Sequence, residues 1–186
     1  MLSIAAMGGA AAKAYYEVAN NENRRDEYYS SSAHAPGQWA GGGAAQLGLS
    51  GDIQAADFRA IANGYLPGGE AGVQNAGKDD RRAGWDLTLS APKSVSIAAA
   101  VGDETVKQAV TQAHEQAVGT ALESIQREAG ITRRGHGGSV QERADLVISQ
   151  FRHMTSREGD PPLHTHNFVH NLAMRSDGTT GTTESR

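Results

Sequence analysis

The sequence predicts an α+β fold: a central antiparallel sheet flanked by helices. Three features point there. Residues 83–90 and 163–174 read as extended segments, and 144–156 joins them. The acidic turn Glu158-Gly159-Asp160-Pro161-Pro162 links the last two. Residues 103–129 carry apolar side chains at sustained helical spacing, and the chain has no internal repeat.

Each element follows from local chemistry. The Ala-rich opening favours a helix running through Tyr15-Tyr16 to about Val18, because Ala has the best helix propensity. NNENRRDE is polar and turn-prone, and a second pair, Tyr28-Tyr29, follows it. The Gly-rich stretch up to Gly51 is expected to be irregular, with Trp39, Leu47 and Leu49 anchoring it. Asp52 to Asn63 reads as a short helix capped by Asp52, with Phe58 and Ile61 on its apolar side and Gly64 and Pro67 ending it. A loop leads to the strand at 83–90, and APKSVSIAAAVG turns into a small-residue helix ending at Gly102. The next helix, Asp103 to Ala129, buries a stripe of Val, Ala, Leu and Ile, with Gly130 as its C′ residue. RRGHGG is a turn. The mixed pattern of 144–156 favours a strand and leaves a helix open. The 163–174 strand turns through RSDG into a third that begins near the chain's last residues.

Composition narrows the function classes. The 186 residues suit one domain. There is no cysteine, which excludes a disulfide framework and a thiolate zinc site. The start lacks a basic n-region and a long apolar run, so a cytoplasmic protein is expected. With net charge −4 and a pI near 6.0, any nucleic-acid contact must rest on a local basic surface.

The chemistry concentrates in FRHMTSREGDPPLHTHNFVHN, residues 151–171. In a strand, His164 and His166 point the same way, roughly 7 Å apart. If the strand holding His153 pairs alongside, three imidazoles reach one spot and leave coordination positions open, as in a catalytic metal site. The alternative is an accidental His-x-His pair, one strand with two separately satisfied histidines. His170 shares the face and reads as a core or supporting histidine. No HExxH occurs, so a zincin is excluded. Four of the five tyrosines form the pairs 15-16 and 28-29. A phenol is a weak nucleophile unless a cation polarises the electrophile, and packing of the helix is the competing role. Asp86, flanked by Trp85 and Leu87 in a strand, needs a partner; a ligand histidine or an arginine would serve.

GWDLTLSAPKSVS, FRHMTSREGDPPLHTHNFVHN and the early paired tyrosines resemble the N-terminal relaxase domain of MobF-type conjugative relaxases, the TrwC/TraI-like proteins. QWAGGGAAQLGLSG is similar too, and the match runs in order over nearly the whole chain. The resemblance implies an HUH-type palm and a nuclease that nicks and rejoins one DNA strand at a plasmid origin of transfer. It implies that His153, His164 and His166 hold a divalent metal; by ligand softness three imidazoles suit zinc, manganese, nickel or cobalt, and magnesium fits with phosphate as co-ligand. Tyr15, or else Tyr16, would attack the scissile phosphate and leave a 5′-phosphotyrosyl bond. Tyr28, or else Tyr29, would serve a later strand transfer. Asp86 would orient a histidine or accept the phenol proton. On that reading Lys93, Thr155, Ser156 and Arg157 contact phosphate, and Arg81 and Arg82 track the DNA backbone.

The implied partners are single-stranded origin DNA, relaxosome accessory proteins and a type IV secretion coupling protein, with no membrane. Family domains run past position 186, usually into a helicase, so the chain is expected to be the N-terminal part of a longer relaxase with its sheet incomplete. It has no Walker A motif itself. Two departures stand out: Tyr15 and Tyr28 are thirteen residues apart, wide for the family, and His170 replaces an expected aliphatic residue. A rolling-circle replication initiator and an inactive DNA-binding remnant are the alternative functions.

Overall fold

A computed structural model describes residues 1–9, 11, 12, 14, 37–154 and 163–184. Its elements are β1 (Leu2–Gly8), β2 (Gln38–Ala40), α1 (Gly42–Gln46), α2 (Ala55–Ala62), β3 (Arg82–Ser90) and α3 (Lys93–Val101), then α4 (Glu104–Ala129), β4 (Ile131–Arg134), a 3₁₀ turn at His136–Gly138, β5 (Val140–His153), β6 (His164–Arg175) and β7 (Thr180–Gly181). The strands make one antiparallel sheet in the order β1-β3-β6-β5-β2, with β4 on β5 and β7 on β6. The expected α+β class is what forms.

Register decides what each face carries. Asp86 lies opposite Phe168, Thr88 opposite His166 and Ser90 opposite His164. On the other side of β6, Phe151 lies opposite His166 and His153 opposite His164. Residues directly opposite in an antiparallel pair share a face. One face therefore presents Asp86, Thr88, His164, His166, Phe168, Phe151 and His153. Helix α2 covers the aromatic end of this face, where Phe58 and Ala62 join Phe151, Phe168, Ala83 and Ala12 in a buried cluster. Helix α4 covers the other face, where Val118 and Leu122 meet Leu87, Leu146, Ile148 and Val169. Each such aliphatic side chain contributes roughly 2 kcal/mol by leaving water. The mixed pattern of 144–156 has its reason here. Leu146, Val147 and Ile148 are all buried, so β5 is covered on both sides and shows no alternation.

Several expectations need correction. The opening helix does not begin at the N-terminus: Leu2–Gly8 is a strand laddered to β3, and only residues 9, 11, 12 and 14 are described as helical. The propensity of Ala is worth a few tenths of a kcal/mol per residue, and seven residues of edge pairing outweigh it. Asp52 caps no helix. It forms an isolated bridge with Gln38, and α2 starts three residues later behind Gln54. Asp103 does cap α4, its carboxylate accepting the Val106 N–H at 2.9 Å. Gly130 follows α4 with φ −70°, outside the left-handed region; its small size is what matters, since a Cβ there would meet Gln126 and the Ala144 carbonyl. The buried stripe of α4 is narrower than expected, limited to His114, Val118 and Leu122.

Candidate active site

The three histidines of the HxH stretch and its upstream partner meet at one end of the sheet. Their ring centroids are 5.2 Å apart for His153 and His164, 5.4 Å for His153 and His166, and 5.1 Å for His164 and His166. The cause is the pairing of β5 with β6, which sets His153 directly across from His164 while the two-residue strand period keeps His166 on the same face. His153 is buried, and His164 and His166 are partly open.

Asp86 completes the cluster. Its Oδ2 lies 2.8 Å from His166 Nδ1. A carboxylate at this distance accepts the Nδ1 proton and leaves Nε2 with its lone pair available. Of the two roles implied for Asp86, orienting a histidine is the one this contact supports. Thr88 was not singled out from the sequence, yet its Oγ1 lies 3.1 Å from His166 Nδ1 and 3.3 Å from Asp86 Oδ2. The signal for it was position: Thr88 is two residues from Asp86 and so shares its face.

Among the described residues, no group of three or more His, Cys, Asp or Glu side chains is arranged to hold a metal ion. The stacking of His153 on His164, with planes 21° apart, turns ring faces rather than ring nitrogens toward each other. The donor chemistry nevertheless fits a divalent cation. Metal–nitrogen bonds of about 2 Å with tetrahedral angles would set three imidazole centroids roughly 5 Å apart, as these are. The carboxylate on His166 is the outer partner that such ligands carry.

The other predicted residues divide. Tyr15, Tyr16, Tyr28, Tyr29, Thr155, Ser156 and Arg157 lie outside the described residues. Lys93 is exposed at the start of α3, three residues past Ser90, whose register partner is His164. The start of α3 is tied to β6 through Ala91 N–H to the Leu163 carbonyl and Leu163 N–H to Ser96 Oγ. Arg82 is exposed, with its guanidinium 5.8 Å from the Trp85 ring centroid, and Trp85 packs with the cluster on the α4 side. It therefore does not border the histidines. Arg81 is 1% exposed and faces inward: Nη1 donates to Asn75 Oδ1, Nη2 to the Asn171 carbonyl and Nε to the Ala62 carbonyl. A side chain spent on interior acceptors does not track a DNA backbone, so Arg81 is a structural residue. Burial lowers its pKa from the usual arginine value.

His170 belongs to the core. It is fully buried against Phe168, Phe58 and Trp39, with Nε2 2.7 Å from Ser149 Oγ. Burial first, and the charge of Arg81 second, lower its pKa to about 3. On the far face His114 Nε2 meets Thr165 Oγ1 at 2.9 Å, so α4 holds β6 from behind, between the two HxH histidines. Burial is the main cause that lowers the pKa of His114. A cavity of about 550 Å³ also lies on that far side, lined by Val118, Leu122, Ile148, Gln150 and Arg152, and none of the three histidines reaches it.

Comparison with known proteins now decides the family. Residues 9–186 match the family model of the TrwC relaxases. The chain belongs to the TrwC relaxase family. Within this family it is 38% identical over 142 residues to the multifunctional conjugation protein TraI of Escherichia coli, a match covering 75% of this chain and 8% of that protein. Its fold is similar to the conjugative relaxase TrwC in a metal-bound complex with oriT DNA, with 35% identity and a TM-score of 0.79 over 99% of this chain and 61% of that one. A copper-bound complex of TrwC with oriT DNA gives the same identity and TM-score over 62% of its length. The relaxase-family chain thus spans about three-fifths of these solved relatives. The Gly run of QWAGGG has a structural reason here: Cβ atoms at Gly41 and Gly43 would run into the backbone of β5 at Asp145 and Leu146, so the run lets α1 sit directly on that strand.

Proposed function

We propose that this chain nicks and rejoins one DNA strand at an origin of transfer by tyrosine transesterification. The observation that carries this is the cluster of His153, His164 and His166 with Asp86 on His166, in a chain of the TrwC relaxase family. The reading assigns the three histidines to a divalent cation. When bound, that cation supplies neutralising charge for the nonbridging phosphate oxygens and polarises the phosphorus. Its identity stays open among metals that accept imidazole and phosphate ligands; relatives have been solved metal-bound and copper-bound.

Every remaining step belongs to the chain itself. A phenol oxygen, from Tyr15 or Tyr16, forms the bond to phosphorus as the bond to the 3′ oxygen breaks. The phenol proton leaves to a base, and the 3′ oxygen takes one up. The phosphotyrosyl ester keeps the bond energy, so rejoining needs no nucleotide. Asp86 is assigned to hold the His166 proton on Nδ1, which the 2.8 Å contact supports. Ala12, three residues before Tyr15 in sequence, packs in the cluster with Phe151, whose register partner is His166; this supports an approach of the early tyrosines to the site. Tyr28 or Tyr29 is assigned the later transfer, and Lys93, Arg82, Thr155, Ser156 and Arg157 remain candidates for DNA contact. The solved relatives hold oriT DNA, which favours transfer over replication initiation. The same reading places the chain in the cytoplasm with relaxosome accessory proteins and a secretion coupling protein. No described helix is long and apolar enough to cross a membrane.

The test is covalent capture of a single-stranded origin oligonucleotide, read as a gel shift that survives denaturation. Changing Tyr15 and Tyr16 together to Phe is expected to abolish it. Undiminished capture by that double variant would overturn the nucleophile assignment.

A further inference from the structure

On the reading that His166 is a metal ligand, we infer that Thr88 is a positioning residue that fixes the tautomer of His166. The sheet itself makes the case. Register sets Thr88, not Asp86, directly across from His166; Asp86 is across from Phe168, one step along the same face. Directly opposed side chains in an antiparallel pair are roughly 5 Å apart at Cβ and diagonal ones roughly 7–8 Å. Asp86 must therefore lean along β3 to bring Oδ2 to 2.8 Å from His166 Nδ1. The Thr88 hydroxyl sits in the angle between them, 3.3 Å from that same Oδ2 and 3.1 Å from Nδ1.

For a neutral imidazole beside an ionised carboxylate, only one proton arrangement satisfies this triangle. The Thr88 hydroxyl donates to Asp86 Oδ2, and the His166 Nδ1–H donates to that carboxylate with the Thr88 oxygen as its second acceptor. In the opposite tautomer a bare Nδ1 lone pair would face carboxylate oxygen, and Nε2 would carry the proton and bind no cation. Thr88 thus tethers the leaning carboxylate and helps to keep His166 Nε2 open. Threonine suits the post, because its β-branched side chain has restricted rotamers in a strand.

The test compares Thr88→Val, which keeps shape and loses the hydroxyl, with Thr88→Ser, which keeps the hydroxyl. Circular dichroism establishes that each is folded. In the metal-free chain at neutral pH, long-range nitrogen–proton NMR of the His166 ring reads which nitrogen is protonated. The wild type and Thr88→Ser are expected to show the Nδ1–H form, and Thr88→Val a mixture with Nε2–H. Titration with Mn²⁺ should show binding weakened about tenfold in Thr88→Val, the lower end of the usual effect of an outer partner, and restored in Thr88→Ser. A folded Thr88→Val that keeps the Nδ1–H form would overturn the inference, whatever its Mn²⁺ affinity. The tautomer is read without metal, so a wild type that fails to bind Mn²⁺ refutes the metal assignment while the role of Thr88 is still decided by NMR.

Discussion

Asp86→Asn isolates the charge of the carboxylate at almost constant shape. In the wild type, His166 Nδ1 lies 2.8 Å from Asp86 Oδ2, a contact that a proton on Nδ1 turns into a charge-assisted hydrogen bond. A hydrogen bond to a charged group contributes about 1.5–3 kcal/mol, against about 0.5–1.5 kcal/mol for a neutral pair, so loss of the charge costs about 1–1.5 kcal/mol. That is about tenfold in a binding constant. A second effect adds to it. Asn can turn its NH₂ toward Nδ1 and favour the tautomer that protonates Nε2, so the expected loss of Mn²⁺ affinity runs from about tenfold to about a hundredfold. Isothermal titration with Mn²⁺ gives the affinity, and capture of the origin oligonucleotide at limiting metal should fall in parallel. Asp86 is buried but isosteric with Asn, so the fold should survive, which circular dichroism checks. A folded Asp86→Asn chain with wild-type Mn²⁺ affinity would refute the idea that this carboxylate tunes a ligand histidine.

Two further outcomes follow from the packing. Phe58 has no exposed surface and touches Phe151, Phe168 and His170, so Phe58→Ala should destabilise the chain by about 3–5 kcal/mol in urea denaturation. His170 has its pKa lowered to about 3 from 6.5 in the fold, so it stays neutral there and takes up a proton when the chain unfolds in acid. Its contribution to stability is full above the unfolded value and is lost as pH falls toward the folded one. His114 acts in the same direction. Urea midpoints should therefore drop from neutral to mildly acidic pH, and a His170→Gln chain should show a shallower drop.

Much of the site was legible because strand geometry is simple. The HxH spacing alone puts His164 and His166 on one face, and the turn of residues 158–162 suggested a partner strand carrying His153. The β5–β6 register then does what was expected. Thr88 was overlooked because an isolated threonine in a strand carries no chemical signature; only the register with His166 exposes it. The opening strand was overlooked for a related reason. LSIAAMG is Ala-containing and largely exposed, so neither its composition nor its pattern announces the β3 edge that it pairs with. Propensity is a local quantity, and this strand exists through a contact with residues some eighty positions away.

Arg81 and Arg82 are adjacent in sequence and opposite in circumstance. The first ties α2, the loop at Asn75 and β6 together from inside, while the second lies in solvent beside Trp85. A mutational screen for DNA affinity would score Arg81→Ala as defective, but the defect would report a molecule coming apart at the junction of three segments. Paired substitutions at the two positions, each with its own melting curve, turn this neighbourhood into an internal control for separating loss of grip from loss of shape.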